Sequence, residues 1–367
     1  MKITKISTYQ VDLPMKEGAY SWGGQSFAAF DSTVVIVETD AGITGVGESC
    51  PLGPAYLPAY AQGVRSGIET LAPALLGADP RQVDAVYDRM DRGLRGHPYV
   101  KSAIDMACWD ILGKALDLPC HMLLGGLRNP QVKLFKVLSR QDPDDMVRML
   151  GEYQAQGFRK YQIKVGGDAD SDIERITKIL AARKPGDIFC ADANTTWKMH
   201  DAMRVAGATK GLDYYMEQPC ISYEECLSVR RHCDQPMILD ECMDSVDMLI
   251  RGRNDSAMDQ VNLKINRLGG LTKARQFRDL CVNFGIYMTI EDSWGGEIST
   301  AAIAHLAHST PEVFHSQSSA FHEYTDLVIA DGGPIIQDGT MRAADAPGLG
   351  VTPRMEALGA PVFEVSA

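Results

Sequence analysis

Between residues 130 and 320, eight short apolar runs alternate with polar-faced stretches of helical spacing. The runs are "VKLFKVL", "YQIKV", "DIFCADAN", "YYMEQP", "MILDE", "QVNLKIN", "IYMTIED" and "VFHSQS", most of them separated by a helical stretch such as 170–184, 198–210, 221–233 or 271–284. No other feature constrains the fold as strongly. Repeated βα units of this length predict a parallel α/β barrel. The chain has 367 residues, so the barrel must share it with a further domain.

Six consecutive runs, the second to the seventh, end on charge. In order they finish at Lys164, Asp192 with Asn194, Glu217 with Gln218, Asp240 with Glu241, Lys264, and Glu291 with Asp292. One ionisable group therefore closes each successive unit on the face where barrel active sites lie. Asp192, Glu217 and Asp240 come from neighbouring strands and would repel one another without a counter-ion. All-oxygen ligation favours Mg²⁺, and no histidine is placed to make the site zinc-like. Lys164 and Lys264 end the second and sixth strands, which lie across a barrel of eight. A carboxylate substrate held on the metal would meet one amine on each face. Metal charge makes such a substrate a better carbon acid through an enediolate, and a lysine brought towards neutrality by burial and a nearby cation can take its α-proton. Asn194 and Glu241 read as supports or helix caps rather than ligands.

Residues 1–50 read as strands around the turn Asp40-Ala41-Gly42, and 60–125 read as helices, including "KSAIDMACWDILGKALDLP". "GITGVG" at 42–47 imitates a nucleotide loop, but it follows a turn instead of opening a helix. Lys plus Arg number 36 against 48 for Asp plus Glu, a net charge of −12, which disfavours nucleic acid and anionic membranes as partners. The nine cysteines are scattered, and no apolar run approaches the roughly 18 residues of a membrane span. The expectation is a reduced, cytoplasmic protein acting on a small molecule.

With these residues in place, the chain resembles the enolase superfamily in its muconate-lactonizing subgroup, the mandelate racemase/muconate lactonizing enzyme family. "SAIDMACWDILGK", "IKVGG", the Asp/Glu/Asp series, "KINRLGG" and "PGLGV" at 347–351 carry the resemblance. It implies a (β/α)7β barrel of modified TIM type at 126–324. It also implies an α+β capping domain at 1–125, completed by 325–367. One Mg²⁺ per site on Asp192, Glu217 and Asp240, and a homo-oligomeric assembly, are implied with it. The subgroup usually has Lys-x-Lys on the second barrel strand, whereas this chain has Gln162-Ile163-Lys164. That pattern, with "CPLGPAY" and "EDSWGG", resembles the branch acting on proline derivatives. The implied activity is dehydration of cis-3-hydroxy-L-proline, with 2-epimerisation as a side activity. A 4-hydroxyproline-betaine 2-epimerase is the nearest alternative, and a dipeptide epimerase or cycloisomerase lies further off. Trp22 and Tyr56 fall on the two capping loops that close over substrate in this family. With Gln162, Asp292 and Phe321 they are the expected substrate contacts. A Schiff-base aldolase, using a barrel lysine as nucleophile, is the rival from another mechanistic class.

Overall fold

The computed structural model describes residues 1–16, 18–22 and 25–367. Strands β1 (Ile3–Pro14), β2 (Ala29–Thr39) and β3 (Thr44–Ser49) form an antiparallel sheet, joined at its outer edge by the C-terminal strand Phe363–Ser366. Along β1, buried Tyr9, Val11 and Leu13 alternate with exposed Gln10, Asp12 and Pro14, the period of two of a sheet with one covered face. Helices α1 (Ala61–Leu75) and α3 (Pro98–Leu116) pack on it, and α2 (Val83–Gly93) packs on both of them. Gly45 and Gly47 account for the "GITGVG" run. A Cβ on Gly47 would stand 1.9 Å from the carbonyl oxygen of Ala103, and one on Gly45 2.1 Å from that of Ala107. These glycines let α3 lie directly on β3.

All eight apolar runs contribute to the barrel. Its strands are β4 (Lys136–Leu138), β5 (Lys160–Lys164), β6 (Ile188–Asp192), β7 (Tyr215–Glu217), β8 (Met237–Leu239), β9 (Gln260–Lys264), β10 (Tyr287–Glu291) and β11 (His315–Ser318), in sequential order and parallel throughout. A parallel bridge between Leu134 and Ser318 brings the two edges together, with the Phe135 N–H donating to the Ser318 carbonyl at 3.1 Å. The run "VKLFKVL" is divided: Val132–Lys133 pairs with Thr340–Arg342, and only Lys136–Leu138 joins the barrel. Helices such as Ala169–Ala181, Met199–Ala208 and Tyr223–Arg230 cover the outside. Asp168 caps the first of these by accepting from the Ser171 amide, and Ser222 and Glu225 form a reciprocal capping box at the third.

Alternation on β5 explains its composition. Tyr161 and Ile163 face the helical layer, while Lys160, Gln162 and Lys164 share the inner face. The barrel interior is therefore polar at the level where aliphatic side chains usually fill it.

Two buried acids fix the N-terminal domain over the barrel mouth. Glu48 at the end of β3 accepts from the Gly296 and Ser299 amides at 2.8 and 2.9 Å, at the start of helix Glu297–His308. Asp105 in α3 accepts from the Thr272 amide at 2.9 Å, at the start of helix Leu271–Phe284. Each carboxylate meets otherwise orphaned N–H groups of a barrel helix. These helices follow β9 and β10, so Lys264 and Asp292 lie close to the capping domain. Among the described residues no helix is long and apolar enough to cross a membrane, and all nine cysteines are free.

Candidate active site

Lys164 and Lys264 project into one cavity from opposite walls, which Trp22, Tyr56, Trp294 and Phe321 help to close. The Lys164 amine lies 2.6 Å from Asp192 Oδ2 and 3.0 Å from Asn194 Oδ1. The Lys264 amine lies 2.9 Å from Asp240 Oδ2, 2.7 Å from the Tyr56 hydroxyl and 3.7 Å from Glu291. Both lysines are buried.

The acids occupy successive strand ends. Lys164, Asp192 and Glu217 are in direct register, and Asp240 lies just beyond β8. Glu217 accepts from Gln162 Nε2 at 3.0 and 3.2 Å and from Asn262 Nδ2 at 2.7 Å. Asp240 also holds the buried Arg267 at 2.7 Å. Asn194 and Gln218 adopt left-handed backbone, φ 42° and 31°, two residues beyond Asp192 and directly after Glu217. Such conformations in non-glycine residues concentrate where a turn must aim functional groups. Gln218 also accepts from the Asp240 amide at 2.9 Å, which ties this turn to the next strand end.

Electrostatics follow from burial and crowding. Burial pushes the Glu217 carboxyl well up, and the charges of Asp192 and Asp240 push it further. Glu241 is raised to about 8, by burial and then by Asp240 and Asp192; Glu291 is raised to about 7, chiefly by burial. Burial would raise Asp240 too, but Lys264 and Arg267 overcome it and hold the group at about 2. The lysines differ from the sequence expectation of amines drawn towards neutrality. Burial does act in that direction, but Asp192 beside Lys164 and Asp240 beside Lys264 outweigh it and raise both.

Among the described residues no three acidic, histidine or cysteine side chains are already drawn together at ligating distance. Asp192 and Asp240 are turned to protein cations instead. The donor set nonetheless fits a hard divalent cation. It is all oxygen, and among the described residues five buried acids (Asp192, Glu217, Asp240, Glu241 and Glu291) face three cations, Lys164, Lys264 and Arg267.

Residues 9–125 match the mandelate racemase/muconate lactonizing enzyme N-terminal domain, and residues 145–357 match the enolase C-terminal domain-like family. The chain belongs to the mandelate racemase/muconate lactonizing enzyme family of the enolase superfamily. Across its full length it is 52% identical to the cis-3-hydroxy-L-proline dehydratase of Roseibium aggregatum, covering 100% of both chains. A crystal structure of a family member from Roseovarius nubinhibens superposes with a TM-score of 0.97 at 44% identity, over 100% of this chain and 99% of that one. A second from the same organism, complexed with magnesium, gives 0.96 at 38% identity over 100% of both.

The other expected contacts of this family member sit around the same cavity. Gln162 lines it, but its amide is spent on Glu217. Trp22 and Tyr56 stack edge to face with ring centres 5.3 Å apart, and Phe321 lies 5.0 Å from Trp294. Asp292 lines the cavity too, yet its oxygens accept from the Asn266 and Ser293 amides at 3.0 and 2.8 Å. Burial pushes it up to about 7. Asn194 bridges Lys164 and Glu241, donating to the latter at 3.1 Å. Sequence reasoning missed Asn262, Arg267 and Trp294 as site residues. Asn262 was legible in principle, because it shares the inner face of β9 with Lys264 at a spacing of two. Arg267, in the turn after β9, carries no such periodic signal.

Proposed function

We propose that the protein is a Mg²⁺-dependent cis-3-hydroxy-L-proline dehydratase. The observation that carries this reading is the pair of buried lysines on opposite walls of one cavity. It is joined by full-length similarity to an enzyme of that name. Asp192, Glu217 and Asp240 are the proposed ligands. Held by them, Mg²⁺ supplies positive charge that makes the α-hydrogen of a bound carboxylate more acidic.

In cis-3-hydroxy-L-proline the hydroxyl and the α-hydrogen lie on opposite faces of the ring. Lys164 takes the α-proton, and Lys264 gives a proton to the departing C3 oxygen, which leaves as water. The resulting enamine tautomerises to Δ1-pyrroline-2-carboxylate. Asp192 holds the Lys164 amine at 2.6 Å, and Lys164 would be free to act as base once Asp192 served as a metal ligand instead. Asp292 and the rings of Trp22 and Tyr56 face the secondary ammonium.

Replacing each lysine singly and following the reaction in D₂O tests these roles. Lys264→Ala should still exchange the α-proton while losing dehydration, and Lys164→Ala should lose both. Undiminished exchange in both variants would sink the assignment, as would borohydride trapping of a lysine adduct. The aromatic lining of Trp22, Tyr56, Trp294 and Phe321 also favours a second reading, a 4-hydroxyproline-betaine 2-epimerase. An NMR screen of both substrates separates the two, since epimerisation gives α-deuteration without a new product.

A further inference from the structure

The opposite end of the barrel holds a second cavity, of about 680 Å³, within the range of small-molecule sites. This face of a barrel ordinarily serves stability. Lys160 lines the cavity, on the same inner face of β5 as Gln162 and Lys164 but at the base. The acids beside it are already matched. Glu312 takes Lys133 at 3.0 Å, and Asp259 takes Arg230 at 2.9 Å and the Met237 amide at 2.8 Å. Among the described residues Lys160 has neither an ion pair nor a hydrogen bond through its amine. Burial, and then the charge of Lys133, hold that amine at about 8. Around the same mouth three large apolar side chains stay in water, Ile188 and Tyr287 at 43% exposure and Val313 at 65%. An uncompensated cation at the floor and an apolar rim above it complement one kind of ligand.

We propose that this basal cavity binds a small amphiphilic carboxylate, its anionic head on Lys160 and its aromatic or aliphatic body against Ile188, Tyr287 and Val313. The head supplies the counter-charge that no acid among the described residues provides, and the body removes the rim from water. The site is distinct from the catalytic cavity, which lies at the carboxyl ends of the same strands.

The probe is 4-fluorobenzoate, followed by fluorine NMR on the whole chain, with 4-fluorobenzyl alcohol as its neutral counterpart. Binding should persist in EDTA and in Lys164→Met, which separates it from the metal-dependent site. It should weaken by about tenfold or more in Lys160→Met, the loss of a charge-assisted contact, and survive in Lys160→Arg. The alcohol should bind correspondingly less well. No binding to the folded protein, equal binding by wild type and Lys160→Met, or loss of binding in Lys164→Met would overturn the proposal. So would concentration-dependent self-association abolished by Val313→Asp, which would make the rim an interface between copies.

Discussion

The hydroxyl of Tyr56 accepts from the amine of Lys264 at 2.7 Å and donates to Asp240 Oδ2 at 3.2 Å. One capping-domain residue thus holds a proposed proton donor and a proposed metal ligand of the barrel. Tyr56→Phe keeps the ring and removes both contacts. It should lower kcat by about tenfold at saturating Mg²⁺, the scale of a hydrogen bond to a charged group, with the fold unchanged. Steady-state kinetics at saturating Mg²⁺ check this; a rise in KM alone would assign Tyr56 to substrate binding instead.

Carboxylate crowding predicts opposite effects of Glu217→Gln with and without metal. Glu217 is buried between Asp192 and Asp240, which raise its pKa. In EDTA the variant should melt at or above wild type, because the cost of holding a titratable carboxyl group, buried and crowded by two acids, is gone. Added Mg²⁺ should stabilise wild type by about 2.7 kcal/mol at a hundred times Kd and leave the variant nearly unmoved. Thermal melts across a Mg²⁺ series measure both.

His315 is buried between Asn129 and Ser318, and burial followed by Lys160 and Lys133 lowers it to about 3. Its folded value is below the ordinary 6.5, so the neutral ring's contribution is fully present above that pH and is lost as pH falls towards 3. Raised acids such as Asp105, at about 7 through burial, slope the other way, so total stability does not isolate it. The difference between wild type and His315→Gln does: it should shrink by about 2 kcal/mol between pH 7 and pH 5 in urea titrations.

Gly47→Ala would set a methyl against the Ala103 carbonyl, 1.9 Å away on a fully packed helix. A backbone atom cannot step aside, so the cost should reach at least about 3 kcal/mol. Gly207→Ala, with nothing within 4 Å, is the control and should be neutral or stabilising by up to about 1 kcal/mol. Denaturant midpoints of the two variants test the comparison.

The sequence by itself determined the features that arise from local repetition. Apolar runs spaced by helical stretches marked the barrel strands, and charged residues at the ends of six consecutive runs marked the polar mouth. That is why Lys164, Asp192, Glu217, Asp240 and Lys264 could be named from the order of residues alone. Only the tertiary structure decided how those charges are shared. Tyr56 meets Lys264 across 208 residues of sequence, and Arg267 reaches back to Asp240 from a turn with no periodic signal. Asp292 stands where its sequence position put it, yet two backbone amides occupy its oxygens. Gly45 and Gly47 resemble a loop motif in sequence, and only the packing of α3 on β3 explains them. The physical reason is the same in each case. Side-chain direction is set by the local backbone, whereas hydrogen-bond partners and proton affinities are set by whatever the fold brings within a few ångströms and seals from water.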